Sequence, residues 1–236
     1  MLRGALRACR RRDAQTGIFA LGTPEHCYLE VDLLPGRDGA DLVATLAGVS
    51  GPPSSTGDVT VVTVVTGFRP EPWARPAPGD APTDAAGWAE DLIGVDGFRM
   101  PATRHDAWVW VSGGTRTAVF DNSRAVLAAL APLARVATEV TGWVYRSDRD
   151  LTGFVDGTEN PTLLTAPAVA VVPDGQPGAG SSVVLFQRWQ HDTDAWESLD
   201  VRSQELAMVR TKADSVELAD DEMPASAHVV RFAPPD

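Results

Sequence analysis

Between Cys27 and Tyr145 the hydrophobic period changes in a fixed order, and that order admits few folds. Cys27-Tyr28-Leu29-Glu30-Val31-Asp32-Leu33 is apolar at every second position, as a half-buried strand is, and Pro35-Gly36 ends it. From Gly39 to Val49 the apolar residues Leu42, Val43, Leu46 and Val49 recur at helical spacing until Gly51-Pro52-Pro53 breaks the run. Val59 to Thr66 is a Val/Thr strand, and Ala107 to Val111 another. Ala118 to Val136 reads as a helix that Pro132 kinks or stops early, and Thr138 to Tyr145 as a strand. The resulting β-α-β-β-α-β order is that of the ferredoxin-like arrangement, with two helices on one face of an antiparallel sheet. Inside it lies a long connection, Gly67 to Arg104, rich in Pro, Gly, Ala and Asp, with a short helix expected near Ala85–Leu92. Connections of that length are usually functional or mobile.

The remainder is sparser. Ser181 to Trp189 reads as a strand, with Val183, Leu185 and Gln187 on one face, and Asp192 to Leu199 as a short helix. Asp200 is placed to N-cap a helix over Val201–Arg210, since its carboxylate can accept the free first-turn N–H groups. Ala227 to Phe232 is a last strand.

Composition excludes some functions. A net charge of −12 repels phosphate, so no nucleic-acid partner is expected. Two cysteines, Cys9 and Cys27, do not make a disulfide framework, which fits a reducing compartment. Met1 to Asp13 is basic but no apolar region of sufficient length follows, so a secretory leader is not expected, nor is a membrane span. The expectation is a cytoplasmic protein.

The densest run of special residues is Leu151-Thr152-Gly153-Phe154-Val155-Asp156-Gly157-Thr158-Glu159-Asn160-Pro161. Two glycines bracket an acid, and glycine lets a ligand approach the main chain closely. On its residues alone the run reads first as an Asp-Gly turn with a proline stop. GFVDGTENP resembles the signature of the dye-decolorizing peroxidases, a haem peroxidase family, and of their B-type branch. The resemblance extends from Thr16-Gly17-Ile18 through Met100-Pro101-Ala102-Thr103 and Arg149-Asp150-Leu151 to Ala225-Ser226-Ala227-His228. It implies an α+β fold of tandem ferredoxin-like β-α-β-β-α-β units with antiparallel sheets, of which the second is incomplete here. The expected division is a lead-in over 1–15, a first unit over 16–146 and a haem-binding unit over 147–236.

Four histidines, His26, His105, His191 and His228, compete for an iron. Peroxidase iron takes one proximal histidine whose far ring nitrogen is tied to an acceptor. By local chemistry His191, beside Asp192 and near Trp196, is attractive; the resemblance selects His228. It places Asp156 on the opposite face of haem b, taking a proton from hydrogen peroxide and returning it to the leaving oxygen. The family pairs this aspartate with a distal arginine that follows the proximal histidine. Only eight residues remain after His228, and Arg231 is too near it to serve both faces, so that arginine has no expected counterpart. Losing such a group costs roughly a hundred- to a thousand-fold in rate.

Other cofactor contacts implied by the resemblance are Gly157, Thr158, Glu159, Asn160, Arg188 and Arg210, the last of which also suits a helix C-terminus. Glu217 matches a position near the same propionate side, and Val209 stands where the family carries glycine. Trp73, Trp88, Trp189 and Trp196 suit packing or electron relay. The expected partners are hydrogen peroxide, a small-molecule reductant of phenolic or dye-like kind, and further copies of the chain. The alternative is a shortened homologue that binds haem weakly or not at all.

Overall fold

In a computed structural model the described residues are 14–21, 23–50, 54–56, 60–74, 79–82, 87, 89–94, 97–146 and 148–227. Strand β1 runs Glu25–Leu33, helix α1 Gly39–Val49, β2 Ser54–Thr56, β3 Thr60–Phe68 and α2 Pro70–Ala74. They are followed by β4 Leu92–Ile93, β5 Arg99–Met100, β6 Ala107–Gly113, α3 Arg116–Leu130 and β7 Ala134–Trp143. Beyond these lie α4 Ala166–Ala170, α5 Thr193–Glu197 and α6 Val201–Met208.

The main sheet has the order β2-β3-β6-β1-β7, and every pairing in it is antiparallel. With β2 set aside, the long strands β1, β3, β6 and β7 take the ferredoxin-like order. The alternation read in β1 is the alternation of burial: Cys27, Leu29 and Val31 point inward. They meet Val109 and Val111 of β6, Leu42 and Leu46 of α1, and Val119, Val126, Leu127 and Leu130 of α3 in one core. Asp38 caps α1 by accepting from Ala40 N–H at 3.0 Å, and Thr115 caps α3 by accepting from Ala118 N–H at 3.3 Å. Helix α3 stops at Leu130, short of Pro132, whose ring would clash with the preceding turn. The strand after it starts at Ala134 rather than Thr138 for the same reason.

The other face of the sheet is aromatic. His26, Tyr28, Trp108 and Trp110 lie with neighbouring ring centroids 5.8–6.4 Å apart. The segment Thr16–Phe19 covers Val65 and Thr63 beside them. A Cβ on Gly17 would sit 2.6 Å from Val65, so only glycine fits. Gln15 completes this edge by donating to Thr66 O at 2.7 Å and accepting from Thr66 N–H at 2.8 Å, as a neighbouring strand would.

Residues 14–143 and 161–184 cluster as one compact unit. Gly178 N–H donates to Asp80 O at 2.6 Å within it. Residues 144–160 and 185–227 cluster as a second, built from α5, α6, a single 3-10 turn at Asp220–Glu222 and isolated bridges. Further expectations change. Ser181–Trp189 is not a strand: Ser181 O accepts from Val172 N–H at 2.9 Å, but no ladder pairs the segment with a strand among the described residues, and Val183 and Leu185 stand 86% and 62% exposed. Leu92 belongs to the β4–β5 ladder instead of a helix, with Asp91 turned to Arg99 and to Ala102 N–H; residues 83–86 and 88 lie outside the described residues. The helix over Val201–Arg210 ends at Met208. The last expected strand lies, but for Ala227, outside the described residues, as do Cys9 and Trp88.

Candidate active site

The signature run is a loop held on both flanks. Arg149 forms bridges with Tyr145 and with Val155, and Asp156 N–H donates to Asp148 O at 2.9 Å. Gly153 and Gly157 take φ of +91° and +74°, the left-handed region where a side chain is strained. Close neighbours add to the demand for glycine. A Cβ on Gly153 would meet Lys212 Cε at 2.7 Å, and one on Gly157 would meet the Asn160 amide nitrogen at 2.6 Å. Asp150 accepts from Thr152 N–H at 2.8 Å and from its hydroxyl, an Asx-type turn.

Phe154 is the anchor of the loop, 2% exposed. Its ring meets Trp196 edge-on at 6.2 Å, and Lys212 Nζ lies over it at 5.6 Å. Trp196 in turn donates to Thr152 O at 3.2 Å. Buried Gln204 ties these parts together: it donates to Trp196 O at 2.9 Å and accepts from Lys212 Nζ at 2.5 Å. Asp200 caps α6 as expected, accepting from Ser203 N–H at 2.7 Å, and this bond holds its carboxyl below the usual range.

Helix α6 closes on Val209, whose φ is +60°. This C-terminal cap position favours glycine. Val209 is nevertheless fully buried, in a small core with Leu218, Ala227, Leu206 and Met223. Directly after it, Arg210 donates through Nη1 to Ser215 O at 3.1 Å and through Nη2 to Glu159, with Glu217 at 4.0 Å.

The expected site residues thus divide. Asp156, Gly157, Thr158, Glu159 and Asn160 share one exposed run, and Arg210 is joined to it through Glu159. Asp156 has no hydrogen-bond or ion-pair partner for its carboxylate among the described residues. Arg188 is exposed, and no hydrogen bond or ion pair among the described residues links it to the loop. His228 lies outside the described residues. His191 lines a shallow open hollow with Gln190, Asp192, Thr193 and Asp194. His26 accepts from Trp110 Nε1 at 3.1 Å, and burial pushes it below its ordinary value against the raising effect of Glu25. His105 pairs with Asp32 at 2.9 Å, which Arg135 also holds at 3.1 Å. Trp73 packs edge-on against Phe68 at 5.8 Å. Sequence reasoning assigned no role to Arg149 and Lys212, which hold the loop in place; the signal was Arg149's place just before the signature.

Residues 147–236 match the family model of the C-terminal portion of Dyp-type peroxidases. A dye-decolorizing peroxidase of Mycobacterium tuberculosis is 34% identical over 217 residues, covering 90% of this chain. Its residues 147–236 thus carry the Dyp-type peroxidase pattern, and the chain is similar to Dyp-type peroxidases over most of its length. A second Dyp-type relative, from Rhodococcus erythropolis, is 37% identical over 70% of the chain. The chain spans 64% of the first relative's length and 48% of the second's. Among solved structures, a variant of Rhodococcus jostii DypB in complex with heme superposes with a TM-score of 0.77 at 27% identity, over 93% of this chain and 72% of that one. A Dyp-type protein of Shewanella oneidensis, at 22% identity and a TM-score of 0.82 over 95% of this chain and 74% of that one, shares the fold.

Proposed function

We propose that this Dyp-type chain, of the B-type branch, binds haem b and serves a peroxidase that reduces hydrogen peroxide and oxidises phenolic or dye-like reductants. The observation that carries the reading is Asp156. A carboxylate left without a partner among the described residues, on a loop tied down at both flanks, is arranged to exchange a proton with a ligand rather than to stabilise the fold. The protein relatives and the heme-bound DypB neighbour support the family chemistry.

The residues of the second unit fit such a group. A flat apolar ring with anionic side arms needs uncovered apolar surface and cations. Leu151, Leu185, Trp189 and Val216 are all more than half exposed. Arg188 lacks an ionic partner among the described residues, and Arg210 already holds a carboxylate, that of Glu159. In this reading Arg188 and Arg210 would hold the propionates, and Gly157, Thr158, Glu159 and Asn160 would border the ring. His228 would ligate the iron, which supplies the redox chemistry when haem is bound. Asp156 would take a proton from peroxide at its carboxylate oxygen and return it to the departing oxygen. Cys27 is a free buried thiol, and no helix among the described residues is long and apolar enough to cross a membrane, which supports a cytoplasmic setting. We extend the reading to a homo-oligomer, which sedimentation would test.

Hemin titration tests the whole. A Soret band saturating at one equivalent, abolished by His228→Ala and spared by His191→Ala, is the expected result. A chain that takes up no hemin overturns the reading.

A further inference from the structure

Arg149 holds the Asp156 loop without belonging to the proposed site. The Arg149 guanidinium spends its donors on main chain: Nη1 donates to Gly153 O at 2.7 Å and to Lys212 O at 2.8 Å, and Nη2 to Ala213 O at 3.0 Å. No carboxylate pairs with it among the described residues. Its backbone is bridged to Val155, the residue before Asp156. Lys212 lies against Gly153 so closely that a Cβ there would be 2.7 Å from Cε. The guanidinium therefore spans the place where two distant segments, 153 and 212–213, meet. On the other flank Arg210 holds Glu159. Asp156 stands midway between the tie at Gly153 and the tie at Glu159.

We propose that Arg149 is the positioning residue of Asp156. Its planar fork fixes the Gly153 carbonyl to residues 212–213 and so fixes where the Asp156 carboxylate stands. A lysine has charge but no fork, so it cannot reach all of these carbonyls in one rigid geometry. The inference rests on the proposed role of Asp156 only for its kinetic consequence; the structural part stands by itself.

The test is amide hydrogen exchange of the full chain, without hemin, in the parent, Arg149→Ala and Arg149→Lys. Arg149→Ala should speed exchange across 151–157 by at least about tenfold while β1 and α3 keep their protection. Free guanidinium at millimolar concentration should restore most of that protection, since it can occupy the vacated fork. Arg149→Lys should remain folded and lose protection in the same peptide. In hemin-loaded protein, both variants should lower kcat by roughly ten- to a hundred-fold with KM for peroxide little changed. Unchanged exchange in 151–157, an equal rise in every peptide, or full protection with lysine would overturn the proposal. A parent chain that binds no hemin would overturn the peroxidase reading, and the exchange data alone would then decide whether Arg149 positions the loop.

Discussion

Arg210 donates to Glu159, joining the residue that follows the α6 cap to the last acid of the signature run. The arginine is largely covered, with 16% of its side chain exposed, whereas Glu159 is 82% exposed. The pair is a tether at the surface, so its intrinsic strength is small. A double-mutant cycle with Glu159→Gln and Arg210→Lys should give a coupling of about 0.5–1 kcal/mol in thermal unfolding. Raising salt to molar concentration should shrink it, since screening acts on exposed charges.

Asp156→Asn should separate function from stability. An exposed carboxylate without a partner among the described residues contributes little to the fold, so unfolding should shift by no more than about 0.5 kcal/mol. Peroxide turnover in the hemin-loaded protein should fall by roughly a hundred-fold or more, as loss of a positioned acid–base group does. Calorimetry and a stopped-flow peroxide assay on the same preparation check both halves.

Val209 carries two opposed demands. Its backbone is left-handed, at φ +60°, while its side chain is fully buried. Val209→Ala keeps the strained backbone and loses packing. Val209→Gly loses one carbon more but recovers about 1 kcal/mol of backbone strain. Denaturant unfolding should therefore find the glycine variant at least as stable as the alanine variant, the reverse of the usual order for a buried position.

Gly153→Ala meets both a positive φ and the Lys212 side chain, which Gln204 and Phe154 hold in place. It should destabilise the second unit by about 1–3 kcal/mol. Gly36→Ala, at φ +78° with open space around it, should cost only the backbone share. Equal losses at the two sites would show that the Lys212 contact does not matter.

His26 sets a pH dependence in the first unit. Burial depresses its pKa below 6.5, with Glu25 opposing. The unfolded chain then takes up the proton first as pH falls. The stability associated with neutral His26 is present above about 6.5 and is lost as pH drops through the lower folded value. Trp110, which donates to Nδ1, has no acceptor there once the ring is doubly protonated. His26→Gln should flatten the fall in melting temperature between pH 7.5 and pH 5; an unaltered slope would rule out His26 as its source.

The sequence by itself determined the order of long strands and helices in the main sheet and the position of the signature. Alternation in β1, helical spacing in α1 and the stop at Pro132 are local properties, fixed by which residues follow one another, and each reappears in the fold. The N-cap Asp200 was legible for the same reason. Only tertiary structure decided what depends on partners distant in the chain. Ser181–Trp189 has strand propensity but no neighbouring strand among the described residues, and a strand exists only through its pairing. Arg210 read equally as a propionate contact or a helix-end cation, and only folding brought Glu159 to it across 51 residues. Arg149 gave no sign of its carbonyl partners, because two of them, Lys212 and Ala213, are 63 and 64 residues away. Residue type says that a guanidinium seeks oxygen; only the closing of the chain decides which oxygens it finds, since the contact is made in space and leaves no periodicity behind.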